Sequence, residues 1–145
     1  GYARWRPDLY SVFWSDTGSG KRWLCNVFVG DAIYLAHRRN FVSGNRHYYD
    51  PHQIYTGMSP LRQRRNPKDA EVGDIVVFSR LGHVEIITEI EKRQDSKHGG
   101  FCSIGAGRGN PHSHPEGDGI VKCDSRSAYR HRQLEYEGNA YFQLL

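Results

Sequence analysis

Two apolar runs, Ile75–Phe78 and His83–Ile90, lie on either side of the short stretch Ser79–Gly82 and constrain the fold more than any other feature. The first run is continuously apolar and β-branched, which is typical of a buried strand. In the second run an apolar side alternates with a polar side: Val84, Ile86 and Ile90 against His83, Glu85 and Glu89. The pattern predicts an antiparallel hairpin with a histidine at the start of its second strand.

A second pattern predicts one main helix, from about Cys25 to His37. Apolar residues recur there at helical spacing: Val29, Ala32, Ile33 and Ala36. The turn-forming stretch Ser15–Gly20 places the start of this helix shortly after it. A thiol at a helix start faces unpaired backbone N–H groups and the positive end of the helix dipole, which favour the nucleophilic thiolate. The alternative is that Cys25 is only a small buried apolar residue.

Further strands are predicted at Phe101–Ala106, Ile120–Cys123 and Ala140–Leu145, and the polar regions Arg38–Pro60 and Gly107–Gly119 are predicted to be loops. The fold class expected is α+β, with the helix packed on an antiparallel sheet of about five strands. With 145 residues, the chain is expected to form one domain, residues 1–145.

The composition, 37% hydrophobic and 25% charged, is that of a folded globular protein. The net charge of +4 favours anionic partners such as nucleic acid, an acidic membrane surface or a cell-wall polymer. No run of residues is apolar for long enough to span a membrane. No signal peptide is visible and the chain begins with Gly1 rather than Met, so we expect a processed or excised chain.

Three cysteines leave at least one thiol unpaired. If Cys102 and Cys123 form a disulfide, Cys25 is the free thiol, a division that would suit an exported enzyme. The alternative is three reduced thiols.

The loop that carries His112 and His114 contains residue types that bind metal ions. Other potential ligands lie nearby in sequence: His98, Cys102, Glu116 and Asp118. Their spacings match no standard zinc site, so the sequence predicts neither a metal nor another cofactor.

Three motifs in order, Cys25–Val29, Gly73–Phe78 and Gly82–Ile87, resemble those of the NlpC/P60 and CHAP amidases. These are papain-like cysteine peptidases that cut amide bonds in bacterial peptidoglycan. The resemblance covers about Cys25 to Ala106. It implies that Cys25 is the nucleophile and that His83 is the general base, which then acts as the acid for the leaving amine. It also implies that the backbone N–H of Cys25 helps to stabilise the oxyanion.

The resemblance also implies a third residue that orients the histidine, on the strand that follows the histidine strand. In this chain the expected position falls near Gly105, which has no side chain. Ser103 is the substitute that we predict, and Asn110 and Asp95 are further substitutes.

The function expected from the resemblance is therefore cofactor-free thiol hydrolysis of peptidoglycan peptides by a secreted or periplasmic protein. Size and charge also resemble amidase toxins that bacteria deliver into neighbours, which implies a cognate immunity or inhibitor protein. One alternative is a thiol deamidase or acyltransferase that acts on a protein. Others are a basic nucleic-acid-binding module and an interaction domain that has lost its activity.

Overall fold

The computed structural model describes residues 24–42, 48–91, 99–106, 120–122 and 132–144. These residues form two α-helices and six strands: α1 Leu24–His37, α2 Pro51–Tyr55, β1 Arg62–Gln63, β2 Ile75–Phe78, β3 His83–Glu91, β4 Gly100–Ala106, β5 Ile120–Lys122 and β6 Asn139–Gln143. The helix and the hairpin predicted from sequence are both present, with bounds that differ by at most one residue.

The strands form one sheet in the order β1-β6-β2-β3-β4-β5, and every neighbouring pair is antiparallel. In the β2–β3 hairpin, Phe78 lies opposite His83 and Ile75 lies opposite Ile86. The expected α+β class with an antiparallel sheet is confirmed. The sheet has one strand more than the expected five because β1 is an edge strand of only two residues.

The side chains of β2 alternate between two apolar clusters, because successive residues of a strand point to opposite faces. Ile75 and Val77 belong to the first cluster, together with residues of α1, whereas Val76 and Phe78 belong to the second. Helix α1 contacts both β3 and β4. The central strand is therefore buried on both faces, as its continuous apolar run requires.

The expectation of a loop throughout Arg38–Pro60 is wrong for Pro51–Tyr55, which is helical. The Asp50 carboxylate accepts a hydrogen bond from the backbone N–H of Gln53 at 2.7 Å, and the Gln53 side chain accepts one from the N–H of Asp50 at 3.0 Å. This reciprocal pair is a capping box, and Pro51 favours the first helical turn. The signal was visible in the sequence as Asp-Pro-x-Gln.

Some expectations concern residues outside the described ranges, namely the loop Gly107–Gly119 with its histidines, the substitutes Asn110 and Asp95, and Cys123. Among the described helices, none combines the length and the hydropathy that a membrane crossing requires.

Candidate active site

Cys25 is the second residue of α1, so its backbone N–H has no acceptor within the helix. Its side chain joins the first apolar cluster together with Val29 and Ile33, one and two turns further along the same helix face. The residue is 6% exposed. The helix thus holds the thiol at its N-terminal end, almost covered by neighbouring groups.

His83 begins β3, and its ring lies parallel to that of Phe78 on the facing strand, with 6.2 Å between ring centroids and 12° between planes. The histidine is 4% exposed. Cys25 is one of the groups that raise the pKa of His83, so the two side chains lie close enough to interact. The fold therefore brings together the two residues that sequence reasoning selected, although they are far apart in the chain.

Glu85 supplies the second contact of the ring. Its Oε2 lies 2.9 Å from His83 Nε2, and this contact leaves the other ring nitrogen, Nδ1, unused by the carboxylate. Glu85 is 3% exposed, so this contact is shielded from water. Thiol, imidazole and carboxylate form a chain in which the carboxylate can fix the orientation and the tautomer of the ring.

The electrostatic environment of His83 and Glu85 favours the charged forms of both side chains. Burial opposes the charge on His83, but the hydrogen bonds with Cys25 and Glu85 outweigh it and raise the pKa of His83 from 6.5 to about 9. Burial also opposes the charge on Glu85, yet His83, Arg132 and Ser103 together lower the pKa of Glu85 below its usual value. Near neutral pH His83 is therefore an imidazolium bound to the Glu85 carboxylate.

The prediction for the third residue needs correction, because Glu85 and not Ser103 touches the ring. Ser103 Oγ donates to Glu85 Oε1 at 2.5 Å, on the side of the carboxylate that faces away from His83. Arg132 joins the same group: its Nη2 donates to Glu85 Oε1 and its Nε donates to Ser103 Oγ, both at 3.1 Å. Ser103 therefore acts on Glu85, one contact removed from the histidine.

Gly105, near which the resemblance to NlpC/P60 and CHAP amidases places the third side chain, explains why the carboxylate comes from β3. A Cβ built on Gly105 would lie 2.7 Å from Glu85 Cγ and 3.0 Å from Glu85 Oε2. The Glu85 side chain thus fills the space above the glycine. A carboxylate from the histidine strand takes the volume that a side chain on the next strand would otherwise occupy.

Sequence reasoning missed Glu85 and Arg132. For Glu85 a signal existed, because it lies two residues after His83, on the same side of a predicted strand. For Arg132 no local signal existed, because its contact with Glu85 joins residues 47 positions apart in the sequence.

Cys25 is a free cysteine, and Cys102 in β4 is disulfide-bonded. This agrees with the expected division between a free thiol at Cys25 and a disulfide at Cys102. Cys123, the expected partner, lies outside the described residues.

Arg62, Arg64 and Arg65 form a short basic run ahead of β2, and this run is in part structural. Arg64 makes two hydrogen bonds to the Asp74 carboxylate, from Nε at 2.9 Å and from Nη2 at 3.0 Å, whereas Arg62 and Arg65 are exposed. The residues with described positions include no group of three or more His, Cys, Asp or Glu side chains able to hold a metal ion.

Comparison with protein-family models, with curated proteins and with solved structures found no match to this chain.

Proposed function

We propose that this protein is a papain-like cysteine hydrolase that cleaves amide bonds in the stem peptides of bacterial peptidoglycan. The observation that carries the proposal is the buried chain of contacts from the Cys25 thiol through the His83 ring to the Glu85 carboxylate. The resemblance of the three motifs to NlpC/P60 and CHAP amidases supplies the substrate class. The positive net charge of +4 suits an anionic wall polymer.

In this mechanism the Cys25 sulfur attacks the carbonyl carbon of the scissile amide, and the carbonyl oxygen takes up the negative charge. The backbone N–H of Cys25, free at the helix start, donates to that oxyanion. His83 transfers its proton to the leaving nitrogen as the C–N bond breaks, which leaves a thioester on Cys25. A water molecule that gives its proton to His83 then hydrolyses the thioester, releasing a carboxylate and restoring the thiol.

Glu85 has two tasks in this sequence of steps. Its Oε2 keeps the ring turned so that the other nitrogen faces the sulfur, and its negative charge stabilises the imidazolium before proton transfer. It does not need to accept the proton.

A second candidate is an interaction domain that keeps the fold without hydrolysis. The observation that favours it is the low exposure of the two central residues, 6% for Cys25 and 4% for His83. A wall peptide reaches the sulfur only if covering side chains move aside. In the first candidate substrate binding opens the site, and in the second it stays closed.

The experiment uses purified sacculi and mass spectrometry of the released peptides. We expect the native chain to release peptides with new amino termini, Cys25→Ala to release none, and His83→Ala to lose most of the rate. His52→Ala, which removes an exposed histidine of α2, is the matched control and should behave as the native chain. Full activity in Cys25→Ala would refute the proposal. Ammonia release from a protein substrate without cleavage would indicate a deamidase instead.

A further inference from the structure

The Glu85 carboxylate is held by two groups that the proposed chemistry does not itself use. Ser103 is fully buried and Arg132 is 3% exposed, and both bind Oε1. Oε2 is left to His83. The two oxygens of one carboxylate are thus divided between a fixed support and the titrating ring.

We propose that Arg132 and Ser103 are positioning residues that act through Glu85 and hold Oε2 against His83. The inference rests on the proposed function insofar as it concerns catalysis. The effect of Arg132 and Ser103 on His83 can also be measured without any substrate, through the reactivity of the Cys25 thiol.

The geometry gives each supporting group a separate part. The Arg132 guanidinium reaches both Glu85 and Ser103, each at 3.1 Å, so one planar group sets the positions of the hydroxyl and the carboxylate together. The Ser103 hydroxyl gives its proton to Oε1 and accepts from Arg132 Nε, which determines its orientation. Gly105 is the third neighbour of the carboxylate, and because it has no side chain it leaves the space that Glu85 fills.

Among the described residues, charged and polar groups reach Cys25, His83 and Glu85 from α1, β3, β4 and the stretch before β6. His83 faces Cys25 from α1 and Glu85 from its own strand. Glu85 faces His83, Ser103 from β4, and Arg132, which precedes the last strand. Without the support the carboxylate can turn away from the ring, so His83 loses the negative charge that favours its protonated form. The imidazolium should then lose its proton at lower pH.

The test is the rate of alkylation of Cys25 by iodoacetamide as a function of pH, measured on the full chain with the label located by mass spectrometry. We expect Arg132→Met to move the alkaline transition of the profile down by about one pH unit, as loss of a nearby opposite charge does. Ser103→Ala should move it less in the same direction, and Arg132→Lys should recover part of the shift. Peptide release from sacculi should show a lower kcat at nearly unchanged KM.

Arg64→Met is the matched control, because it removes an arginine that binds a different buried carboxylate, Asp74. It should leave the alkylation profile of Cys25 in place. The inference is overturned if Ser103→Ala, Arg132→Lys and Arg132→Met all keep the native profile, or if Arg64→Met shifts it equally. Should Arg132→Met fail to fold, the other two variants still decide.

The outcomes separate the two proposals. A native chain that releases no peptide from sacculi but shows the shifted profiles refutes the hydrolase and supports the positioning role. A native chain that hydrolyses peptides while all variants keep its profile supports the hydrolase and refutes the positioning role.

Discussion

Two buried carboxylates lie beside β2, and each is bound by an arginine, yet their surroundings differ. Asp74, directly before the strand, accepts two bonds from Arg64 and one from the backbone N–H of Glu71 at 3.0 Å. Glu85, opposite Val76 on β3, accepts from Arg132 and Ser103 on one oxygen only. Its second oxygen meets His83.

The difference shows how similar groups serve two purposes. At Asp74 both oxygens are bound to groups that stay protonated at ordinary pH. The Arg64–Asp74 pair therefore links the end of β1 to the start of β2. At Glu85 one oxygen is bound to a ring that can lose its proton, and the ring in turn contacts a thiol. A fixed support on one side and a titratable partner on the other make the second carboxylate part of the candidate site.

The largest expected effect is on the rate of hydrolysis, which should depend on Glu85 and not on Asp74. Glu85→Gln should lower kcat about 1,000-fold, because an amide can hold the ring in the wrong tautomer and no longer stabilises the imidazolium. Asp74→Asn should leave the rate per folded molecule unchanged. Release of wall peptides, normalised to the folded fraction, is the measurement. Equal losses in both variants would abolish the distinction drawn between the two sites.

The next effect concerns stability at the Asp74 end. Arg64→Met leaves a carboxylate of low exposure without its cationic partner, and we expect it to lower the free energy of unfolding by about 3 kcal/mol. Urea denaturation followed by circular dichroism measures this. The exposed ion pair of Arg80 and Glu137 is the control, and Arg80→Met should change stability by less than about 1 kcal/mol.

A smaller effect is expected from adding one methyl group on the neighbour of Glu85. Gly105→Ala would bring a Cβ to 2.7 Å from Glu85 Cγ, so the glutamate must shift. We expect a stability loss of about 2 kcal/mol from overpacking, together with slower peptide release. Gly73→Ala, at a φ of +92° with open space around it, should cost about 1 kcal/mol without slowing hydrolysis. Native activity in Gly105→Ala would show that the position of Glu85 is less constrained than we argue.

The last prediction concerns the dependence of stability on pH. The folded-state pKa of His83 is raised from 6.5 to about 9, so its contribution is complete below about pH 6.5 and is lost as pH rises through about 9. Glu85 behaves in the opposite way: its pKa is lowered, so its contribution is present above 4.5 and is lost at more acidic pH. We expect the highest Tm between these limits, with losses of about 5 °C for each kcal/mol. His83→Gln should flatten the alkaline side of a Tm profile, and an unchanged alkaline slope would contradict this account.

Much of the site could be predicted because its parts carry local signals. The continuous apolar run Ile75–Phe78 and the alternation after it predicted the hairpin, and the helical spacing after Cys25 predicted α1. His83 was predicted because it begins the second strand of the hairpin and because the stretch Gly82–Ile87 resembles a motif of the NlpC/P60 and CHAP amidases. Glu85 lies on the same side of the predicted strand as His83 and could have been predicted from the alternation. The resemblance to the amidases instead implied a residue on the next strand.

What the sequence by itself determined is the set of elements and two of the residues in contact, since strand alternation, helix periodicity and turn residues are short-range properties of the chain. Only the tertiary structure decided which side chain contacts Nε2 of His83 and which groups hold that side chain in place. The physical reason is that Gly105 leaves a space without specifying what fills it. The arginine behind Glu85 comes from a distant part of the chain. Such contacts are set by the antiparallel register of β3 and β4 and by the return of the chain to the sheet, and no local pattern records either one.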